Sequence, residues 1–177
     1  EFMVMMRKKT GWYTGRGPCT AGAIIAGASP EKRETICHFG EAMAIAFQIR
    51  DDLLNLSTSE QDASIAPGLT SGAYGKERGG DIAEGKRTLI IIDLLRKCTD
   101  SEKAEVLSIL HEDRQKNTVE QIERVIALVE QYGCIEYAEV VCRSKALESQ
   151  RYLERIPQSV GRDILAEMLD FLVQRAF

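Results

Sequence analysis

The longest apolar stripe of the sequence has the period of an α-helix, and this feature restricts the possible folds more than any other. Ser29-Pro30-Glu31 is typical of a helix start, because Ser caps, Pro is favoured at the first position and Glu suits the positive end of the dipole. From there apolar residues recur at helical spacing as far as Leu56, which predicts a helix of about 27 residues, or roughly 40 Å. Glu41 lies in its middle, and we interpret it as a solvated charge.

The rest of the chain has the same period and the same kinds of helix end. Thr118 and Gln121 form a capping box pattern, which predicts the start of a helix, and Gly133 is a typical residue at its end. Ser101 is predicted to cap a helix that ends at His111. Further helices are predicted over 87–97, 134–155 and 161–175. Because no stretch alternates polar and apolar residues between hairpin turns, we predict an all-α fold.

Length, charge and cysteine content exclude several classes of protein. The 177 residues suffice for one domain with its own core, so we predict a single helical domain over 1–177. No run of about 18 apolar residues predicts a membrane span, and no signal sequence opens the chain, so we expect a cytoplasmic protein. A net charge of −4 argues against nucleic acid as a partner. Five cysteines without a C-x-x-C pattern indicate free thiols.

One segment, residues 57–80, departs from the helical pattern. It is polar and rich in Gly and Ser, and it joins the long helix to a cluster of Lys and Arg. Loops of about twenty residues inside a compact domain are usually functional or disordered. We therefore predict a long flexible loop or lid at 57–80.

Adjacent carboxylates end the long helix, within the stretch FQIRDDLLN (47–55). Asp51 and Asn55 are four residues apart and so share one helix face, with Asp52 beside them. Oxygen ligands at this spacing suit Mg²⁺, which takes few protein carboxylates and completes its octahedron with water and phosphate oxygens. A divalent ion would also remove the repulsion between the two carboxylates. The alternative is a pair of solvated charges at a helix end.

Two further segments carry residue types that bind phosphate. Lys9-Thr10 offers a point charge and a hydroxyl donor, although basic clusters on helix surfaces are common. In YGKERGGDIAEGKRT (74–88), glycines allow close backbone approach, Lys76 and Lys86 add positive charge, and Asp81 adds an oxygen ligand. This is not a P-loop, because its pattern does not occur. A glycine-rich turn before the next helix is the alternative for the second segment.

The three segments together are similar to the trans-isoprenyl diphosphate synthase (polyprenyl synthetase) family. The similarity rests on KTG (9–11), FQIRDD (47–52) and GKERGGDIAEGKRT (75–88), in that order and with matching spacing apart from a longer loop after Asn55. It implies an antiparallel helical bundle around a deep apolar cavity. The implied reaction is the Mg²⁺-dependent condensation of an allylic diphosphate with isopentenyl diphosphate, and the implied assembly is a homodimer. A farnesyl or geranylgeranyl diphosphate product is expected from family frequency alone.

The resemblance also implies roles for individual residues. Asp51, and less directly Asp52, match the second aspartate-rich motif, which holds Mg²⁺ against the allylic diphosphate. Asn55 stands where that motif has its third acid, and Asp81 is a further candidate ligand. The positions that match residues around the diphosphate are Lys9, Thr10, Gln48, Lys76 and Lys86. Among all of these, Lys9, Asp51 and Lys76 are the predicted catalytic residues.

The chain also departs from the family pattern. The first Asp-Asp-x-x-Asp motif and the isopentenyl-binding residues of the family, which lie upstream, are absent, so we expect the chain to be the C-terminal half of the family fold and inactive alone. A cloning remnant before a start at Met3 is an alternative to this reading. Product chain length depends largely on the missing residues and is not predicted.

Three other functions were weighed against this one. A non-catalytic helical subunit that binds diphosphate or a complete synthase is the main alternative, and an upstream aspartate-rich segment in the gene would exclude it. A class I terpene cyclase is disfavoured, because Asn55 and Ser59 stand where its motif has Ser or Thr and then Glu. A helical interaction protein without a ligand does not account for three matching segments.

Overall fold

The computed structural model describes residues 2–56 and 78–174, without the side chains of residues 173 and 174. Within these ranges the chain is helical and contains no β-strand, so the all-α prediction is confirmed. A π-helix, Arg7–Arg16, follows the first α-helix. The α-helices in chain order are α1 Phe2–Met6, α2 Gly17–Ile25, α3 Pro30–Leu54, α4 Gly80–Ala83, α5 Leu89–Lys97, α6 Asp100–His111, α7 Val119–Gln131, α8 Cys134–Leu153 and α9 Val160–Gln174.

Most helices begin and end close to the predicted residues. Pro30 is the first residue of α3, and Leu54 is its last, two residues before the predicted end. Thr118 and Gln121 form the predicted capping box at the start of α7. The isoleucine-rich segment near residue 90 is a buried helix, as its length and composition predicted, and Thr88 caps its first turn. Local sequence signals thus locate these elements well.

One predicted cap is wrong. Helix α6 begins at Asp100, and its cap is Thr99, whose hydroxyl accepts a hydrogen bond from the Glu102 backbone N–H. The Glu102 carboxylate in turn accepts one from the Thr99 backbone N–H at 3.0 Å. Ser101 therefore lies inside the helix. The reciprocal pairing between positions 99 and 102 satisfies two backbone donors, which a cap at Ser101 would not do.

The chain divides into two compact units. The described part of unit 1 comprises residues 2–50 and 140–174, and that of unit 2 comprises residues 51–56 and 78–139. Because helices α3 and α8 each contribute residues to both units, the division follows packing and not chain order. The prediction of one domain stays a prediction.

Unit 1 is held together by an apolar cluster in which α3 meets the last two helices. Its buried members are Phe39, Met43, Leu153 and Leu169, and partly buried side chains from α2, α8 and α9 pack around them. The hydroxyl of Ser149, itself fully buried, donates a hydrogen bond to the Phe39 carbonyl at 2.9 Å. A buried donor is thereby satisfied within the core.

Unit 2 contains the short helices α4 to α7, and α7 contacts each of the other three. Helix α4 also contacts α6. The largest fully buried side chains of this core are Leu53, Ile82, Ile90, Ile91, Leu94, Val106, Val125, Ile126 and Leu128. Apolar burial of this extent is the main stabilising contribution to a small helical unit.

Part of the predicted loop lies outside the described residues. This applies to residues 57–77, and so to Lys76. Of the predicted segment only its end is described, where Gly79 has a φ of +72° and Gly80 begins α4. Across the described ranges we find no helix that combines the length and the hydrophobicity needed to span a membrane. The five cysteines are free thiols, as predicted.

Candidate functional site

Of the predicted diphosphate ligands, three lie in unit 1. Lys9 and Thr10 are in the π-helix, where Lys9 is exposed and Thr10 is buried. The Thr10 hydroxyl donates to Gln48 Oε1 on α3 at 3.4 Å, a long hydrogen bond between two residues that were predicted to act together. The structure therefore brings Thr10 and Gln48 into contact and leaves the ammonium group of Lys9 accessible to an anion.

The π-helix itself was not predicted. It extends over ten residues, and at its end the Gly17 N–H donates to the Trp12 carbonyl five residues earlier. Such i→i+5 segments are rare and often occur at functional sites. Since no residue type marks a π-helix as capping residues mark an α-helix, the sequence offered no signal for it.

Glycines let the π-helix approach α3 very closely. A Cβ atom on Gly15 would lie 1.9 Å from the Gly40 carbonyl oxygen, and one on Gly40 would lie 2.7 Å from the Gly15 carbonyl oxygen. A Cβ on Gly11, one turn before Gly15, would lie 3.1 Å from Glu41 Cγ. The two backbones are thus in contact at Gly15 and Gly40, and this contact is what brings Thr10 within reach of Gln48.

Glu41 corrects the sequence interpretation, because it is not a solvated charge. The residue is only 7% exposed, and its carboxylate is held by two arginines of the π-helix. Arg7 Nε donates to Oε1 at 2.7 Å, and Arg16 Nη1 donates to Oε2 at 3.3 Å. Its neighbours in FGEAMAIAF offered a signal that was missed, since an acid inside an apolar run is usually buried with a partner.

In unit 2, the acidic end of α3 is largely removed from solvent. Asp52 is 7% exposed and Asn55 is 5% exposed, while Asp51 is half-buried. Asp51 and Asn55 are four residues apart, and the Asn55 N–H donates to the Asp51 carbonyl as in a continuing helix. A cation bound at these carboxylates would reduce the repulsion between their negative charges.

Asn55 connects the end of α3 to the start of α4. Its Oδ1 accepts a hydrogen bond from the Asp81 N–H at 2.9 Å, and its backbone carbonyl accepts one from the Gly79 N–H at 2.8 Å. Its Nδ2 is buried and has no hydrogen-bond partner among the described residues. The side-chain oxygen predicted as a metal ligand therefore already caps α4 through one of its two lone pairs.

Asp81 and Lys86 form an ion pair after this connection. Lys86 Nζ lies 2.7 Å from Asp81 Oδ1 and 2.8 Å from Glu84 Oε2. Asp81 is buried, whereas the Lys86 side chain is about half exposed. Hydrogen bonds first to Asp81 and then to Glu84 raise the pKa of Lys86 above its ordinary value, against the opposing effect of desolvation. The ammonium group is therefore charged at every physiological pH.

A magnesium ion fits the oxygen donors at the end of α3 only if water or phosphate oxygens complete its coordination. Within residues 2–56 and 78–174, no three His, Cys, Asp or Glu side chains lie close enough together to enclose a metal. Mg²⁺ does not need such a cage, because it is commonly held by one or two carboxylates plus water and phosphate oxygens. Asp51 and Asp52 supply that number.

A family model and similar curated proteins indicate the same family. The polyprenyl synthetase family model matches residues 1–129. The short chain isoprenyl diphosphate synthase of Methanothermobacter thermautotrophicus is 33% identical over 175 residues, covering 99% of this chain and 49% of that protein. The geranylgeranyl pyrophosphate synthase of Geoglobus acetivorans is 30% identical, covering 99% of this chain and 48% of that protein.

Solved structures are similar over almost the whole chain. The crystal structure of geranylgeranyl pyrophosphate synthetase from Pyrococcus horikoshii matches with a TM-score of 0.80 and 28% identity, covering 99% of this chain and 49% of that one. The Corynebacterium glutamicum geranylgeranyl pyrophosphate synthase, complexed with isoprenyl diphosphate and magnesium, matches with a TM-score of 0.78 and 27% identity, covering 97% and 45%. The chain spans about half the length of the curated relatives that it matches.

Proposed function

This chain belongs to the polyprenyl synthetase family, and from that premise we propose that it forms part of a trans-prenyltransferase. The reaction is the condensation of an allylic diphosphate with isopentenyl diphosphate, with a short- to medium-chain prenyl diphosphate as product. Farnesyl or geranylgeranyl diphosphate is the proposed product, and the second is supported by the names of similar proteins. The observation that carries the proposal is the pair of carboxylates at the end of α3, of which Asp52 is buried and Asp51 is half-buried.

Asp51 and Asp52 are the residues proposed to hold Mg²⁺. Both lie beside the apolar core of unit 2, where a bound cation would balance their negative charges. When bound, the ion would neutralise the charge that develops on the leaving diphosphate. A similar solved protein contains isoprenyl diphosphate together with magnesium, which supports this assignment. Asn55 contributes its second lone pair to the metal in this proposal, and Asp81 remains a further candidate ligand.

The diphosphate itself is proposed to be bound by lysines and neutral donors. Lys9, Lys76 and Lys86 each bring a compact positive charge, and Thr10 and Gln48 bring hydrogen-bond donors. In this structure the ammonium group of Lys86 is paired with Asp81 and Glu84, and in this proposal it exchanges them for phosphate oxygens. The Thr10 hydroxyl must likewise turn from Gln48 toward the ligand.

Localisation and assembly are also part of the proposal. We assign the protein to the cytoplasm and expect it to act as a homodimer without nucleic-acid partners. Its formal net charge of −4 supports the last point. A second candidate function is a non-catalytic helical subunit that binds diphosphate or a complete synthase. A condensation assay of the complete gene product with geranyl and isopentenyl diphosphates separates the two, because only the synthase forms product.

The metal assignment is tested by substituting Asp51 in the 177-residue chain. Calorimetric titration with geranyl diphosphate should show binding that requires Mg²⁺, and Asp51→Ala should weaken it by at least about 100-fold, or about 2.7 kcal/mol. The physical reason is the loss of half of the carboxylate charge that the ion binds. Circular dichroism should show unchanged helicity.

The matched control for this substitution is Asp170→Ala, which removes an exposed carboxylate from α9 and should leave binding unchanged. Undiminished Mg²⁺-dependent binding by Asp51→Ala would contradict the metal assignment. Equal loss in both variants would show that the effect comes from net charge and not from this site.

A further inference from the structure

A single buried carboxylate holds both ends of the π-helix. Arg7 is the first residue of that helix and Arg16 is the last, and both guanidinium groups bind Glu41 on α3. The Glu41 side chain is almost fully buried, whereas that of Arg7 is 57% exposed. The ion pairs therefore span the segment that carries Lys9 and Thr10.

The geometry of α3 relates this carboxylate to the predicted diphosphate ligands. Glu41 and Gln48 are seven positions apart, so they lie on the same face of α3, roughly 10 Å apart along its axis. The π-helix contacts that face at both positions, through the two arginines at Glu41 and through Thr10 at Gln48. Any rotation of the π-helix about its own axis would break both sets of contacts.

The glycine contact excludes large rotations, because the Cβ of another residue would clash with α3, but it contains no directed contact that fixes small ones. Gly11, Gly15 and Gly40 bring the two backbones together, but they have no side chains that interlock. Directed hydrogen bonds to a buried carboxylate supply the missing orientation. Since the net contribution of a buried ion pair to stability is small compared with that of apolar side chains, a role in specifying one arrangement accounts better for its presence.

We propose that Glu41 is a positioning residue for diphosphate binding. Through Arg7 and Arg16 it sets the rotation of the π-helix, so that the ammonium group of Lys9 and the hydroxyl of Thr10 face the ligand. This inference rests on the proposed function, because it assumes that these two residues bind diphosphate. It adds a residue that touches neither substrate nor metal.

The test is a double-mutant cycle on the 177-residue chain, with inorganic pyrophosphate and Mg²⁺ as the titrated probe. Glu41→Gln removes the charge with little change of volume and should weaken binding by about 10-fold, which corresponds to about 1.4 kcal/mol. Thr10→Val removes the hydroxyl that Glu41 is proposed to orient. In the Thr10→Val background the further effect of Glu41→Gln should fall below about 3-fold, because coupled residues are not additive.

Arg7→Gln provides a second variant for the case in which Glu41→Gln does not fold. Because its side chain is 57% exposed, the substitution should leave the fold intact. It should weaken pyrophosphate binding by about 3-fold, again only when Thr10 is present. The matched control is Glu105→Gln, which removes an exposed carboxylate paired with Arg124 in unit 2. Its binding should equal that of the unchanged chain.

The outcomes separate the two proposals. Unchanged binding by Glu41→Gln, or effects that simply add to that of Thr10→Val, would overturn the positioning role and leave the proposed function intact. If Glu41→Gln is unfolded by circular dichroism, the cycle of Arg7→Gln with Thr10→Val decides by the same criterion. Failure of the unchanged chain to bind pyrophosphate with Mg²⁺ would overturn the assignment of Lys9 and Thr10, and with it the role of Glu41.

Discussion

The side chain of Asn55 shows how one residue meets a structural and a chemical requirement at once. Its oxygen caps the start of α4, and its buried nitrogen has no hydrogen-bond partner among the described residues. A buried donor left unpaired costs about 1–3 kcal/mol. A carboxylate at this position would keep the cap and remove the unpaired donor, but it would add a negative charge close to Asp51, Asp52 and Asp81.

Asn55→Asp is therefore expected to make stability depend on magnesium. Without Mg²⁺ the additional charge should lower the free energy of unfolding by about 1–3 kcal/mol, because like charges then repel within a buried region. Millimolar Mg²⁺ should restore most of that loss by binding only the folded form. Urea unfolding with and without the ion measures both effects.

Asn117→Asp is the control for this substitution. The Asn117 amide donates to two carbonyl groups, those of Ala83 and Ile109, so the change should destabilise unit 2 equally with and without Mg²⁺. A stability of Asn55→Asp that does not respond to Mg²⁺ would argue against a metal at the end of α3.

Residue-level chemistry was only partly predictable from the sequence. The acidic pair and the lysines stood out by type and spacing, and the hydrogen bond between Thr10 and Gln48 is in line with their predicted joint role. The apolar neighbours of Glu41 indicated its burial, but its two arginine partners are 25 and 34 residues away in the chain. No local pattern reports which distant arginine a carboxylate will meet.

At the scale of single elements, the contact between the π-helix and α3 depends on the absence of side chains. Gly40→Ala would place a Cβ 2.6 Å from Cys19 Sγ and 2.7 Å from the Gly15 carbonyl oxygen. Such overpacking typically costs about 1–3 kcal/mol, so we expect a loss of that size in urea unfolding. The Gly15 carbonyl oxygen is the more rigid of the two neighbours, so the substitution should lower the free energy of unfolding and not raise it.

Gly22→Ala is the matched control on α2, where a Cβ would meet no atom within 4 Å. Because Ala is the better helix former, this variant should gain about 0.5–1 kcal/mol. If Gly40→Ala were as stable as Gly22→Ala, the close approach of the two backbones would be contradicted.

The cap of α6 gives a second prediction for a single element. Thr99→Ala should cost about 1 kcal/mol, because the Glu102 N–H loses its acceptor at the helix start. Ser101→Ala, inside the same helix, should change the free energy of unfolding by less than about 0.5 kcal/mol. Equal effects of the two substitutions in urea unfolding would contradict the assignment of Thr99 as the cap of α6.

Helices were the part of the fold best predicted from the sequence, and the reason is physical. Period, caps and stops act over a few neighbouring residues, as Thr118 with Gln121 shows. The correct cap of α6 was also visible locally, since Glu102 stands three residues after Thr99 and completes its capping box. The π-helix has no such local signature, and its partner glycine at position 40 lies far along the chain.

For the whole molecule, exposed apolar side chains are the feature with the clearest consequence. Several of them lie along the N-terminal helices of unit 1, including Trp12, Tyr13 at 87% exposure and Ile25 at 87% exposure. Exposed apolar side chains mark a contact with another chain where they form a contiguous patch. The homodimer expected from the family resemblance would cover them.

Sedimentation velocity should accordingly show a dimer of the 177-residue chain at micromolar concentration. Tyr13→Glu should shift the distribution toward the monomer, since it places a charge in the proposed contact. Val119→Glu, at a side chain of unit 2 that is 68% exposed, should leave the distribution unchanged. A monomer at every concentration tested would contradict the proposed assembly.

The division into two units could not be predicted at this scale. Composition and length indicated one domain, and they contain no information on how a helix such as α3 or α8 is shared between cores. That sharing depends on which distant residues pack together, as Phe39 does with Leu153 and Leu169. The family resemblance was confirmed. It could be found in the sequence because it rests on three short segments and on their order along the chain.

The contact between Gly15 and Gly40 has a consequence for how the sequence can vary. At that point the separation of two helices is set by the radii of backbone atoms, because neither residue has a side chain that a neighbouring substitution could displace. Changes in the volume of the surrounding core therefore leave this separation untouched. The spacing of Thr10 from α3 is thus protected against the gradual exchange of more distant apolar residues, and it is most sensitive to changes at the two glycines and at Ala44 and Cys19, which lie beside them.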